Sequence, residues 1–143
     1  MQVSEVMTEN PACCGPKDTV KAAARLMVEN DCGEIPVVDE GGKPVGVVTD
    51  RDIACRCVAK DKPTDTAVGD VMSAPVVTVT PETSIDDCCT TMEENQLRRV
   101  PVVDAEGKCC GMVSQADIAK SAGAKDTSEL VRRISEPASE ALA

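Results

Sequence analysis

Two short stretches of the chain place a hydroxyl and a carboxylate three residues apart. They are "GVVTDRDI" at 46–53, with Thr49 and Asp52, and "GMVSQADI" at 111–118, with Ser114 and Asp117. In each, Gly and apolar residues precede the polar pair, as they would where a strand runs into a helix. At a helix start the hydroxyl caps an exposed backbone N–H. A carboxylate at the third helical position is favoured by the remaining N–H groups and the positive end of the helix dipole. The same pair, one turn apart, can also hold a vicinal diol, because a carboxylate accepts hydrogen bonds from ribose as the acidic residue of dinucleotide sites does. The neighbouring N–H groups suit phosphate. Capping accounts for either copy alone. It does not explain why both copies keep a polar mouth beside "IPVV" and "VPVV".

Composition removes several other chemistries. The 143 residues include no His, which excludes histidine-dependent catalysis and the commonest zinc nitrogen ligand. No nucleophile–base pair or metal cluster is visible, and the carboxylates stand in binding rather than acid–base arrangements, so an enzyme is not expected. With no Phe, Tyr or Trp, a bound base must lie between aliphatic side chains or against an arginine plane. The nine cysteines fall as Cys13-Cys14, Cys88-Cys89 and Cys109-Cys110, plus Cys32, Cys55 and Cys57, with no C-x2-C spacing to suggest structural zinc. Adjacent cysteines in a strand face opposite ways. They read as small buried hydrophobes of a reducing cytoplasm. Thiol-based redox or metal sensing stays open, with Cys55 and Cys57, flanking Arg56, as the pair whose thiolate a neighbouring cation favours.

A net charge of −10 argues against nucleic acid and anionic membrane surfaces. A small phosphate-bearing ligand needs only one or two placed arginines. No apolar run approaches the ~18 residues of a membrane span, and "MQVSEVMTEN" lacks a signal-peptide layout. A cytoplasmic location is expected.

The elements that must position these groups come from an internal repeat. Met7 and Met72, Pro16 and Pro81, Pro36 and Pro101, Gly46 and Gly111, and Asp52 and Asp117 all stand 65 residues apart, so the halves align without a gap. The expected division is 1–64, 65–123 and a tail at 124–143, with "AKDKPTD" as linker. "PVVTVTP" alternates as a short strand. Ser84 caps a following helix with Asp87 as capping-box partner, and Ile85, Cys88, Cys89 and Met92 form its apolar stripe. Val20, Ala23, Ala24 and Met27 repeat that stripe in the first half. "RRVPVVD" and "KCCGMVS", joined by "AEG", form a hairpin, and "SQADIAKSA" a helix. Each half is thus strand–helix–strand–strand–helix, an α/β (α+β) unit of about fifty to sixty residues that needs its twin to bury enough surface.

The duplicated "PVVD…G-K…G-h-V-[TS]-x-x-D-I" pattern resembles the tandem CBS-domain pair, or Bateman module, over about 120 residues. The resemblance implies two pseudo-twofold-related units packed through their sheets, with two related clefts for adenosine derivatives such as AMP, ADP, ATP, NAD or S-adenosylmethionine. It further implies a disc-like homodimer, regulation of a partner protein, and no required cofactor. Carried over by half, one site comprises Val76, Val77, Thr78, Arg98, Arg99, Val100, Pro101, Ser114 and Asp117. The other comprises Ala12, Cys13, Cys14, Ile35, Pro36, Thr49, Arg51 and Asp52. Arg98 and Arg99 stand where the first half has Gly33 and Glu34, so the Ser114/Asp117 site is expected to be the stronger phosphate site. Two alternatives stay open on the same fold: a ligand-free dimerisation scaffold, and the thiol or metal sensor. Past the repeat, Asp126 or Thr127 is expected to cap a short helix with Leu130, Val131 and Ile134 along its apolar edge.

Overall fold

The computed structural model describes residues 1–121 together with 131, 132, 134 and 135. In chain order the elements are β1 (Thr8–Glu9), α1 (Val20–Asn30), β2 (Glu34–Val38), β3 (Pro44–Thr49), α2 (Asp50–Arg56), α3 (Ile85–Asn95), β4 (Arg99–Val103), β5 (Cys109–Ser114) and α4 (Gln115–Ser121). Thr19 caps α1 by accepting from the Ala22 N–H at 3.1 Å, and Ser84 caps α3 by accepting from the Asp87 N–H at 3.0 Å. Only the Ser84 half of the expected capping box forms. Both helices close through a left-handed residue, Asp31 at φ 49° and Gln96 at φ 54°. Val20, Ala23 and Met27 of α1, and Cys88 and Met92 of α3, point into the two cores.

β2–β3 and β4–β5 are antiparallel hairpins in matching register, with Pro36 opposite Val47 and Pro101 opposite Met112. The expected first strand of each half shrinks to a single residue. Cys14 bridges Val37 and Val79 bridges Val102, both parallel. Prolines explain the shortfall. Pro75 and Pro81 bracket "VVTVT" without N–H groups to pair. Pro36 and Pro101, inside the facing strands, can only accept, from Cys14 N–H and Val79 N–H, each at 3.1 Å.

The halves exchange their leading segments. Short 3-10 turns at Val3–Glu5 and Val68–Asp70 each dock on the other half. Val3 N–H donates to Thr83 O at 2.9 Å, and its counterpart Val68 N–H donates to Asp18 O at 2.7 Å. β1 then adds to the β4–β5 sheet, Thr8 facing Met112, while Ser73 bridges Val47 in the mirror arrangement. Val3 therefore lies in one core with Val79, Cys88, Met92, Val100, Val102, Val113 and Ile118, whereas Val68 and Val71 complete the other with Val20, Ile35, Val37 and Val48. The repeated glycines mark the crossings. A Cβ on Gly111 would meet Met7 Sδ at 2.6 Å, and one on Gly46 would meet both Met72 Sδ and the Ser73 carbonyl at 2.8 Å.

Of the expected C-terminal helix, Ile134 is buried in the second core and Val131 is exposed. Asp126, Thr127 and Leu130 lie outside the described residues.

Candidate functional site

Both hydroxyl–carboxylate pairs are complete capping boxes. Asp52 N–H donates to Thr49 Oγ1 and Thr49 N–H to Asp52 Oδ2, each at 3.0 Å. Asp117 N–H donates to Ser114 Oγ at 3.1 Å and Ser114 N–H to Asp117 Oδ2 at 2.9 Å. The two copies differ in what reaches the carboxylate from elsewhere. Ser73 Oγ lies 3.1 and 3.2 Å from the Asp52 oxygens, and Arg56 Nε lies 3.9 Å from Oδ1. Asp52 is accordingly buried. The positions equivalent to Ser73 and Arg56 are Thr8 and Ser121, and among the described residues neither bonds Asp117. Its Oδ1 is left with acceptor capacity.

That carboxylate borders a cleft of about 310 Å³. Met112, Ser114, Ala116, Asp117 and Arg99 of the second half face Pro11, Ala12, Asn30, Asp31, Cys32, Glu34 and Ile35 of the first, with Thr8 at the edge. A smaller cleft of about 80 Å³ is lined by Glu34, Val47, Ser73, Pro75, Val76, Val77, Leu97, Arg99 and Pro101. Here Ser73 stands between the cleft and Asp52.

Glu34 and Arg99 occupy equivalent positions of β2 and β4 and border both clefts. Glu34 Oε2 is buried with no hydrogen-bond partner. Burial pushes its carboxyl up to about 7; the Arg99 cation works against that rise, and Asp52 and Asp50 add to it. Around the larger cleft Arg99 is the one cation among the lining residues, against the acidic Asp31, Glu34 and Asp117.

The CBS domain model matches residues 3–57 and 68–123. The chain belongs to the CBS-domain family. It is 38% identical over 117 residues to the CBS domain-containing protein YhcV of Bacillus subtilis, covering 82% of both chains. Among solved structures it resembles Hypoxic Response Protein I with two coordinated zinc ions, at TM-score 0.79 and 32% identity, covering 86% of this chain and 100% of that one. CBSX2 in complex with AMP gives TM-score 0.73 at 29% identity over 84% and 94% of the two chains. The CBS domain pair of MJ0100 with 5-methylthioadenosine and S-adenosyl-L-methionine gives 0.78 at 27% over 86% and 100%.

Within this CBS pair the exchange of segments regroups the residues that the sequence assigns half by half. Ser114, Asp117 and Arg99 share their cleft with Ala12 and Ile35, not with Val76 and Val77, which border the smaller one. Pro101 lines the smaller cleft, whereas Val100 is fully buried in the second core. Cys14 lies in the first core, beside the buried Pro36 whose carbonyl it reaches. Thr78 is half-buried and borders neither cleft. Arg98 and Arg51 are exposed outside both; Arg98 contributes its carbonyl to Gln115 N–H at 2.9 Å, and Arg51 donates its N–H to Asp50 Oδ1 at 2.8 Å. Thr49 caps α2 away from the cleft linings, and Cys13 borders neither cleft, its Sγ donating to the Pro11 carbonyl at 3.3 Å. Sequence reasoning passed over Thr8, Pro11, Met112, Ala116 and the Asn30–Cys32 turn. Nothing periodic marks that turn; the left-handed Asp31 at the end of α1 places it.

The structure sets Cys55 and Cys57 apart in exposure: Cys55 is exposed, and Cys57 is buried with Sγ 3.5 Å from the carbonyls of Lys62 and Pro63. Among the described residues, no group of three or more His, Cys, Asp or Glu side chains is arranged to hold a metal ion. No described helix is long and apolar enough to cross a membrane.

Proposed function

We propose that the chain is a non-catalytic regulatory module that holds one adenosine derivative in the larger cleft and relays its occupancy to a partner protein. The observation that carries this reading is the asymmetry between the two carboxylates. Asp117 keeps acceptor capacity at the mouth of a cleft with an aliphatic wall, while Ser73 and Arg56 occupy Asp52. Asp117 Oδ1 takes a ribose hydroxyl. Ala12, Ile35 and Met112 sandwich the base without aromatic stacking. Arg99 faces a phosphate where one is present. A single cation among three acidic groups favours few phosphates, so AMP, methylthioadenosine or S-adenosylmethionine fits better than ATP. CBSX2 with AMP and MJ0100 with methylthioadenosine and S-adenosylmethionine lend support by their likeness.

The test uses an accident of composition. With no Trp or Tyr, the protein hardly absorbs at 280 nm, so a band at 260 nm reports co-purified nucleotide. Stripped protein should show a higher melting temperature with AMP or S-adenosylmethionine than with equimolar ATP. No 260 nm band and no shift with any adenosine derivative would leave the module as a scaffold.

A further inference from the structure

One strand position of the repeat carries an acid in the first half and a cation in the second, and the two residues share their surroundings. Glu34 begins β2, and Arg99, at the twin position, begins β4. Arg99 pairs across the β4–β5 hairpin with Ser114, and Glu34 across β2–β3 with Thr49, so each stands beside the hydroxyl of a capping box. Both residues line the larger cleft, and both line the smaller one. Among the described residues they form no ion pair with each other, and Glu34 Oε2 is buried with no hydrogen-bond partner. A buried acceptor in that condition at a cleft wall is a place for a donor on a ligand. The charges around it narrow the choice. Arg99 faces Asp31, Glu34 and Asp117 across the larger cleft, so a phosphate on its guanidinium would have an acid beside it. A zwitterion suits the pair better: its carboxylate accepts from the guanidinium while its ammonium donates to the carboxyl oxygen.

We infer, resting on the adenosine reading above, that the larger cleft selects an adenosine whose 5′ substituent ends in an α-amino acid, with the carboxylate on Arg99 and the ammonium on Glu34 Oε2. S-adenosylmethionine and S-adenosylhomocysteine are of this class. With the ribose on Asp117, the 5′ side of the ligand reaches Arg99, which lies opposite Ser114 in the same capping box. Glu34 is then the residue that sets specificity, because its twin position, Arg99, would accept an anion in either cleft. The ammonium also makes binding depend on pH. Burial pushes the Glu34 carboxyl up to about 7; Arg99 on β4 opposes the rise, Asp52 and Asp50 on α2 add to it, and Asp31 and Asp117 line the same cleft. An ammonium beside Glu34 favours its carboxylate, so the amino-acid ligand binds more tightly as pH rises through about 7.

The experiment titrates the whole chain, stripped of nucleotide, with S-adenosylhomocysteine, with AMP, and with 5′-methylthioadenosine, which is the same thioether carrying a methyl group in place of the amino-acid chain. At pH 8 the parent should bind S-adenosylhomocysteine at least about tenfold more tightly than methylthioadenosine, and more tightly than AMP. The preference over methylthioadenosine should shrink several-fold at about pH 6, where Glu34 is protonated. In Glu34→Gln it should fall to within about threefold and stay level between those pH values. Arg99→Gln should lose it as well, through the carboxylate. Methylthioadenosine or AMP bound as tightly as S-adenosylhomocysteine, or a preference that survives Glu34→Gln, would overturn the amino-acid assignment and leave adenosine binding standing. Binding of none of the three would overturn both.

Discussion

At the scale of single residues, Thr49/Asp52 and Ser114/Asp117 were legible from spacing alone, and so was their capping role. Which carboxylate stays available was not legible, because Ser73 reaches Asp52 only after the halves exchange segments. Of the two arginines expected to clamp phosphate, Arg99 borders the cleft and Arg98 is exposed, as alternation along an extended chain requires. Glu34 supplies the pH prediction. Its carboxyl sits near 7 in the folded chain against about 4.3 in an unfolded one. Between those values the native state holds a proton that the unfolded state has released. Glu34 therefore contributes stability that is complete below about 4.3 and lost as pH rises through about 7. Glu34→Gln stays neutral throughout, so its melting temperature should gain on the parent's between pH 4.5 and 8. Parallel curves would place the Glu34 proton elsewhere.

Among the elements, hairpins and helices followed from turn residues and apolar periodicity, with left-handed Gly42 and Gly107 at the hairpin tips. The first strands were overread, because alternation reports a face to bury and says nothing of missing donors at Pro75 and Pro81. The opposite lesson comes from Gly46 and Gly111. The repeat displays them, but their reason is the backbone and methionine of the other half passing over them. Gly111→Ala should destabilise by about 1–3 kcal/mol through overpacking against Met7, read by urea denaturation. Its partner Met7→Ala should relieve part of that loss in the double variant. Simple additivity would mean that the crossing is looser than described.

For the whole molecule, the duplication could be seen in the sequence and the exchange could not. A repeat of 65 residues fits equally well with leading segments folded back on their own halves. Val3 provides the test. It is fully buried among α3, β4 and β5 side chains although it begins the other half. Val3→Ala should cost about 2 kcal/mol and speed amide exchange in α3 and the β4–β5 hairpin before α1 and β2–β3. The reverse order would contradict the exchanged topology. That same topology brings Asp117 opposite Ile35 and Ala12, and on this the proposed binding rests. Calorimetric titration of stripped protein with AMP, in the parent and in Asp117→Ala and Asp52→Ala, tests it most directly. One site per chain is expected, weakened at least tenfold by Asp117→Ala (about 1.4 kcal/mol or more), while Asp52→Ala lowers the melting temperature and leaves affinity within about threefold. Parent affinity in Asp117→Ala, with binding lost in Asp52→Ala, would contradict the account.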